Sequence, residues 1–363
     1  MSLPDDLIRA ALPLAGQARP LPGRLLWCSL RPAGVWALLL LSLAGGTVAR
    51  GAGGKVMLAR KYQRGQSIIY VSKVSTSSRI NSDPPELKTF FPPMPTNMRM
   101  IQQSTVTVSD VHPDGAADVQ HRFDKFEIQT DLEGLPENVR DSINQAQQEV
   151  SHRMAGQTLT AHYGRDGRLV DFDGADNFFR DIDAPVREPL LQMLRLFLEQ
   201  MGGQSLYPDH RVKVGEEWSQ NLDAQPVKNY PFRVGGKSTL HYSGKTRYQG
   251  VKAAIVDYHF ENTLTPAVAG LRKGGALPQL EAMGMRLDMQ ITGKGQGRIL
   301  VALDDGRVLQ NHSTLHQTLS AIMKGNEGFV APAGQLPRLE IQSDTELEVE
   351  GSEPQQASPS GKR

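Results

Sequence analysis

The chain has 363 residues with a formal net charge of +1, and 22% of its residues are charged. Nothing in a balance this neutral suggests nucleic-acid binding, and it gives no argument for electrostatic steering of a charged partner. The 35 glycines and 23 prolines, beside only 6% aromatic residues, indicate many turns and therefore a β-rich fold. The single cysteine, Cys28, precedes the expected mature start, which excludes disulfides, a thiol nucleophile and cysteine metal sites.

A short apolar segment at residues 35–44 follows Arg24 and Arg31 and is followed by small residues, an order typical of a secretory signal. It holds roughly ten to fifteen apolar residues, whereas a membrane-spanning helix needs about 20. We therefore predict an N-terminal extension and signal peptide over residues 1–51, with cleavage after Ala49 or Gly51. The expected location is periplasmic or secreted, with no transmembrane span in the mature chain, and a retained anchor is the alternative.

Residues 55–184 are predicted to form a first β-rich half. Alternating apolar and polar residues predict strands within residues 61–78 and 102–131, and residues 157–172 read as a hairpin with a Gly-Arg-Asp-Gly turn. Residues 136–154 have a helical period. One narrow apolar stripe predicts that this helix lies on the surface, and it consists of Val139, Ile143, Ala146, Val150 and Met154.

A proline-rich segment at residues 83–97 interrupts the strands of this half. Its five prolines exclude regular strand pairing, so it is predicted to be a loop. Phe90, Phe91 and Met94 lie in it and are unfavourable to leave in water. Two interpretations stay open, a packed crossover and a flexible lid over an apolar surface.

Residues 185–203 are predicted to form a central apolar helix. Asp183 can cap its first N–H groups, Glu188 suits the positive end of its dipole, and two glycines at 202–203 end it. A single polar stripe leaves an apolar arc that covers more than half of the circumference of residues 186–201. An arc this wide predicts a helix enclosed by sheet on two sides.

A second β-rich half is predicted over residues 206–350, followed by a disordered tail over residues 351–363. Both halves contain an Asp-Gly-Arg turn followed by an apolar residue, beginning at Asp166 and at Asp305. Each half also begins with a glycine-bearing strand and contains a helix-bearing crossover. The matching order indicates an internal duplication, so the predicted fold is mainly β (α+β), with two tandem curved antiparallel sheets around the central helix.

Several segments resemble catalytic or ligand-binding motifs only superficially. Residues 235–238 lack the earlier glycine of a phosphate-binding loop, and the glycines of residues 293–297 have the wrong spacing for a dinucleotide site and indicate a strand break or bulge. Residues 171–177 lack ligands of a calcium loop. His312 and His316 lie on one strand face about 13 Å apart, too far for one ion. We expect no catalytic residue, no metal ligand and no cofactor.

Three stretches carry a resemblance to a known family: KYQRGQSIIYVSKVSTSS from residue 61, VKVGEEWSQN from residue 212, and the Asp-Gly-Arg-Val hairpin. Together they resemble a family of uncharacterised exported bacterial proteins that share a domain of unknown function. The predicted architecture is also similar to that of the periplasmic lipoprotein carriers and related lipid-binding half-barrels. Neither resemblance implies catalytic residues.

These patterns predict an exported, non-enzymatic protein of the bacterial envelope that binds a lipid-like or other apolar ligand. The alternative is an envelope scaffold or protein-interaction module in which the central helix is only core, and a hydrolase with a dispersed site is a third possibility. The expected partner is a lipid-like ligand or an envelope protein, not nucleic acid. The predicted ligand-binding residues are Phe90, Phe91, Met94, Met193, Leu194 and Phe197.

Overall fold

The computed structural model describes most of the chain after the predicted signal. The described residues are 54–83, 97–179 except 134 and 166, the five helical residues 187, 191, 194, 195 and 198, and then 207–221, 232–266, 285–325 and 338–354. Eleven strands and two helices have defined bounds within them. No helix among these residues is long and apolar enough to cross a membrane.

Alternating residues form the strands as the sequence predicts, but several are longer than expected. The first half contains β1 (Ser67–Asp83), β2 (Asn97–Val111), β3 (Ala117–Thr130), β4 (Thr158–Tyr163) and β5 (Leu169–Asp173). The second half contains β6 (Glu217–Asn221), β7 (Phe232–Tyr248), β8 (Val251–Pro266), β9 (Met285–Ala302), β10 (Val308–Gly325) and β11 (Arg338–Ser352). The strand β7 has a bulge between Tyr242 and Gly244.

All eleven strands belong to one antiparallel sheet, in the order β5-β4-β3-β2-β1-β11-β10-β9-β8-β7-β6. The two predicted tandem sheets are therefore not confirmed, because β1 pairs with β11 along its length, from Ile69 opposite Ser352 to Asp83 opposite Arg338. This pairing satisfies backbone groups that two separate sheets would leave at open edges. The edges of the single sheet are β5 and β6, whose five residues each offer little template for further pairing.

The sheet has two different faces, which we call the covered face and the open face. On β1, Val74 and Thr76 are 1% and 6% exposed and lie on the covered face, whereas Ser75 and Ser77 are exposed on the open face. A small buried cluster that includes Ala253, Ile255 and Leu300 lies on the open face of β8 and β9, but the larger part of the hydrophobic core lies on the covered face. Its first part, on β6 to β10, includes Trp218, Leu240, Tyr242, Val256, Tyr258, Phe260 and Leu315, and its second part, on β1 to β4 and β11, includes Val74, Met100, Val108, Phe123, Phe126, Leu159 and Leu347.

The first half contains two helices, one between β3 and β4 and one after β5. The helix α1 (Glu137–Met154) confirms the predicted helical segment, and Ile143 and Met154 are buried, but Val150 of the predicted stripe is 40% exposed. The helix α2 (Ala175–Phe179) buries Phe178. The ring of Phe178 meets Phe123 of β3 edge to face, with ring centroids 5.5 Å apart.

The predicted central helix is only partly described. Its described residues are helical and include Leu191, Leu194 and Leu198, of which Leu198 is fully buried and Leu191 and Leu194 pack against the core. Tyr163 of β4 donates a hydrogen bond to the carbonyl oxygen of Leu198 at 2.7 Å. The continuity of the helix over residues 186–201 and its enclosure on two sides stay predictions.

Matching turns precede β1 and β6. Gly65 N–H donates to the Val108 carbonyl at 2.8 Å, and Gly215 N–H donates to the Tyr242 carbonyl at 2.9 Å. Both glycines have a positive φ, of 80° and 87°, which costs glycine little. Each acceptor residue is followed at once by a bulge in its strand. These repeated features support the duplication, which stays a prediction.

Candidate functional site

In-register pairing places side chains of neighbouring strands next to one another, so the covered face can be described as rows that cross the sheet. One such row is entirely aliphatic, and we call it the aliphatic row. Register pairs connect its members in sequence across β1, β11, β10, β9 and β8: Ile80, Ile341, Leu319, Ile291 and Leu264.

The aliphatic row remains partly accessible. Ile80, Ile341, Leu319 and Ile291 are half-buried, and only Leu264 is fully buried, at 5% exposure. Leu339 and Ala321, the next covered-face residues on two of the same strands, are each 5% exposed, whereas Ser78, Ser82 and Ser343 are half-buried like the row itself. The row is therefore an accessible apolar band on the covered face, and such a band favours contact with another apolar group.

A polar row lies beside the aliphatic row on the covered face. Ser78 and Ser343 share a hydrogen bond between their hydroxyls at 2.9 Å, and Gln317 is the register partner of Ser343. Asn262 is 4% exposed, and both polar atoms of its side-chain amide are buried without a hydrogen-bond partner among the described residues. A buried amide without partners is costly, so a polar group that reached Asn262 would supply hydrogen bonds that its amide lacks.

Glycines of β9 let side chains of β8 approach the backbone at the centre of the sheet closely. The ring of Phe260 lies over Gly295, where an added Cβ would be 2.5 Å from two ring carbons. The side chain of Asn262 lies over Gly293 in the same way. The register of β9 with β8 and β10 is unbroken through these glycines, so the predicted strand break or bulge at residues 293–297 is wrong. The glycines have a packing role, the close approach of neighbouring side chains.

The open face carries a groove of about 970 Å³ that crosses seven strands, from β3 to β8. Thr76, Leu315 and Thr345 also border it, but they are only 6%, 2% and 3% exposed and their side chains lie on the covered face. Its walls are exposed polar and charged side chains: Ser75, Ser77, Asn97, Arg99, Gln129, Asp131, His259, Glu261, Lys294, Gln296, Thr314, His316, Asp344 and Glu346.

Ion pairs of both signs line this groove. Lys294 Nζ lies 2.8 Å from Glu261 Oε1, and His316 Nδ1 lies 2.8 Å from Asp344 Oδ1. The hydrogen bond from Lys294 and its charge lower the pKa of the Glu261 carboxyl. A wall of mixed charge suits a polar partner rather than an acyl chain.

The structure describes one of the six predicted ligand-binding residues. Leu194 is half-buried and packs against the core of β1 to β4 and β11, with Leu198 beside it. The other five, Phe90, Phe91, Met94, Met193 and Phe197, lie outside the described residues. The predicted loop leaves β1 after Asp83, three residues beyond Ile80 of the aliphatic row.

Sequence reasoning missed the aliphatic row and the groove. Their signals were present as alternation in β8 to β11, for example the acidic and apolar residues of DTELEVE in β11. Alternation identifies the two faces of each strand. It does not show which residues of distant strands stand side by side, so neither row nor groove could be assembled from it.

No protein-family model and no curated protein sequence matches this chain. Among solved structures, one similar chain is lipovitellin, described for its lipid–protein interactions, with a TM-score of 0.33, 12% identity, and coverage of 83% of this chain and 27% of that chain. Another is the outer membrane protein OprG of Pseudomonas aeruginosa, with a TM-score of 0.18, 8% identity, and coverage of 82% and 100%. The chain thus spans about a quarter of the lipovitellin chain that it matches.

Proposed function

We propose that this protein binds a lipid-like amphipathic ligand on the covered face of its sheet and acts in the bacterial envelope by binding rather than by catalysis. The observation that carries the proposal is the aliphatic row, four of whose five side chains are half-buried and so leave apolar surface accessible. The location rests on the predicted signal at residues 35–51.

The two adjacent rows suit a ligand with an apolar body and one polar group. An acyl-like chain lies across Ile341, Leu319 and Ile291, where it removes apolar surface from water. The polar group reaches Asn262, two residues from Leu264 on β8, and supplies hydrogen bonds that the amide otherwise lacks. Pockets for small molecules commonly combine apolar walls with a few such polar groups.

A titration with an apolar fluorescent naphthylamine probe tests the proposal. We expect Ile291→Ser and Leu319→Ser each to weaken probe binding about fivefold, since each removes roughly half of the ~1.5–3 kcal/mol of a fully buried aliphatic side chain. Val170→Ser is the matched control, because Val170 is 63% exposed on β5, far along the sheet. It should leave the probe affinity unchanged.

Thermal unfolding of the same variants separates binding from packing. The proposal predicts a loss of probe affinity that exceeds the small loss of stability expected from half-buried positions. An unchanged probe affinity beside a clearly lowered midpoint would mean that the row is ordinary core.

A second candidate function is an envelope scaffold or protein-interaction module, and the open-face groove favours it. A groove that crosses seven strands and carries both charge signs suits an extended polar segment of a partner protein. Photocrosslinking in the envelope tests this candidate. A crosslinker at Gln296, in the groove, should give a discrete protein adduct that the same crosslinker at Val170 does not give, and equal adducts from both positions would contradict it.

A further inference from the structure

A ladder of carboxylates lies on the open face of β11, and two of its members, Asp344 and Glu346, line the groove. Asp344, Glu346, Glu348 and Glu350 alternate with covered-face residues, so all four project from the same face. Their register neighbours on β1 are Ser77, Ser75, Lys73 and Val71, and those on β10 are His316, Thr314, His312 and Gln310. Among these register neighbours, only Lys73 carries a permanent positive charge. The four carboxylates therefore leave an excess of negative charge on this part of the face, and such an excess attracts cations.

Three side chains of this ladder converge on one point. His312 and Glu348 are directly opposite one another in the β10–β11 register, and Glu346 is the diagonal neighbour, within reach of a long side chain. One ligand atom from each of the three lies within 4.8 Å of the other two. His312 Nε2 is 3.6 Å from Glu346 Oε1.

We propose that His312, Glu346 and Glu348 bind one Zn²⁺ ion on the open face. An imidazole nitrogen with two carboxylate oxygens is a donor set that zinc accepts, whereas Ca²⁺ and Mg²⁺ prefer oxygen ligands alone. Zn–N and Zn–O bonds of about 2.0–2.2 Å in a tetrahedral site place ligand atoms roughly 3.4 Å apart. The exposed side chains reach that spacing by small rotations, and water fills the fourth position.

Lys73 is the competitor of the metal at this site. Its Nζ lies 3.4 Å from Glu348 Oε2, and both side chains are more than 40% exposed, at 43% and 49%. Zn²⁺ must displace this ammonium group from Glu348. Removal of the lysine charge should therefore strengthen zinc binding, an effect opposite to that of removing a ligand.

Zinc titration of the untagged, chelator-treated protein, by competition with a colorimetric zinc indicator at pH 7.5, tests the site. We expect one Zn²⁺ per chain, a loss of affinity of at least about tenfold in His312→Ala and Glu346→Gln, and a gain of up to about fivefold in Lys73→Gln.

His316→Ala is the matched control, because His316 lies on the same face of the same strand and also contacts a carboxylate, that of Asp344. Its affinity for zinc should equal that of the wild type. Equal losses in His316→Ala and His312→Ala, or an unchanged affinity in both, would overturn the site as assigned. Weaker binding in Lys73→Gln would remove Glu348 from the ligand set. All four substitutions are at exposed positions, and circular dichroism checks that each variant is folded.

Discussion

Gly306, in the turn between β9 and β10, lies directly against the carbonyl group of Ala59. Its φ is 73°, and an added Cβ would collide with the Ala59 carbonyl oxygen and carbon. The N-terminal segment thus crosses this turn at van der Waals contact, and Lys61 N–H donates to the carbonyl of Asp305 at 2.8 Å nearby. The Asp-Gly-Arg turn of the second half is therefore a docking point for the residues that precede β1.

Gly306→Ala should lower the free energy of unfolding by about 2–4 kcal/mol. The positive φ costs about 1 kcal/mol for a residue with a Cβ, and the backbone collision adds an overpacking cost of about 1–3 kcal/mol. Gly65→Ala is the control, because Gly65 has a φ of 80° with no atom within 4 Å of an added Cβ. This control should lower the free energy of unfolding by about 1 kcal/mol, measured by urea denaturation. Equal losses of stability in both variants would contradict the contact with Ala59.

Asp305→Ala should be among the most destabilising substitutions of a charged residue. Asp305 is 2% exposed and lies 2.6 Å from Arg307 Nη1, and it also accepts hydrogen bonds from Gln66 and from the Arg307 backbone. Removal of one partner of a buried ion pair costs about 3–5 kcal/mol. The exposed pair of Lys294 and Glu261 is the comparison, and Lys294→Gln should cost less than about 1 kcal/mol. A similar small effect in both variants, measured by denaturant unfolding, would show that the Asp305 network is not buried.

The stability of the protein should fall as the pH drops from about 6.5 to 4, because of His121. Burial, with a smaller contribution from the charge of Arg60, lowers the pKa of His121 to about 4, whereas the unfolded state binds a proton near pH 6.5. Since the unfolded state binds more protons in this window, the free energy of unfolding rises with pH there and is lost as the pH falls.

The full effect of His121 is on the order of 3 kcal/mol. Urea unfolding at pH 7 and pH 4.5 measures it, and His121→Gln should flatten the difference between the two pH values relative to the wild type. An unchanged pH dependence in the variant would assign the titration to another group.

Gly295→Ala should disturb the covered face through Phe260. The added Cβ would lie 2.5 Å from the Phe260 ring and 2.9 Å from the Thr314 carbonyl oxygen. The ring must therefore move away from β9. We expect a loss of about 1–3 kcal/mol in the free energy of unfolding. Gly250→Ala is a control for glycine replacement, since nothing lies within 4 Å of an added Cβ there and only its φ of 84° adds strain. A loss for Gly295→Ala no larger than for Gly250→Ala would contradict the close approach of the ring.

Local sequence patterns are sufficient to predict several elements of the fold. The hairpin of β4 and β5, the helix α1 and the last strand β11 follow from alternation, helical period and turn residues, all of which act over a few residues. The pairing of β1 with β11 could not be predicted in this way, because its partners, such as Ile80 and Ile341, are far apart in the chain. The glycines of β9 were misleading for the same reason, since their effect depends on Phe260 and Asn262 of the neighbouring strand.

The candidate site was harder to predict from the sequence than the strands and helices were. The prediction placed an apolar ligand beside Leu194, but that side chain packs against the core of the first half, and the accessible aliphatic row lies on β1 and β8 to β11. A row of this kind exists only after five strands are in register. The apolar character of Leu319 or Ile341 in the sequence is compatible equally with core and with a binding surface.

Native mass spectrometry of the protein purified without detergent from an envelope fraction tests ligand binding on the covered face most directly. The account predicts that the wild-type protein carries a lipid-like mass that organic extraction recovers, and that the double variant Ile291→Ser, Leu319→Ser loses this mass while Val170→Ser retains it. A wild-type protein without any adduct, or the same adduct on the double variant, would contradict the proposed binding of a ligand to the aliphatic row.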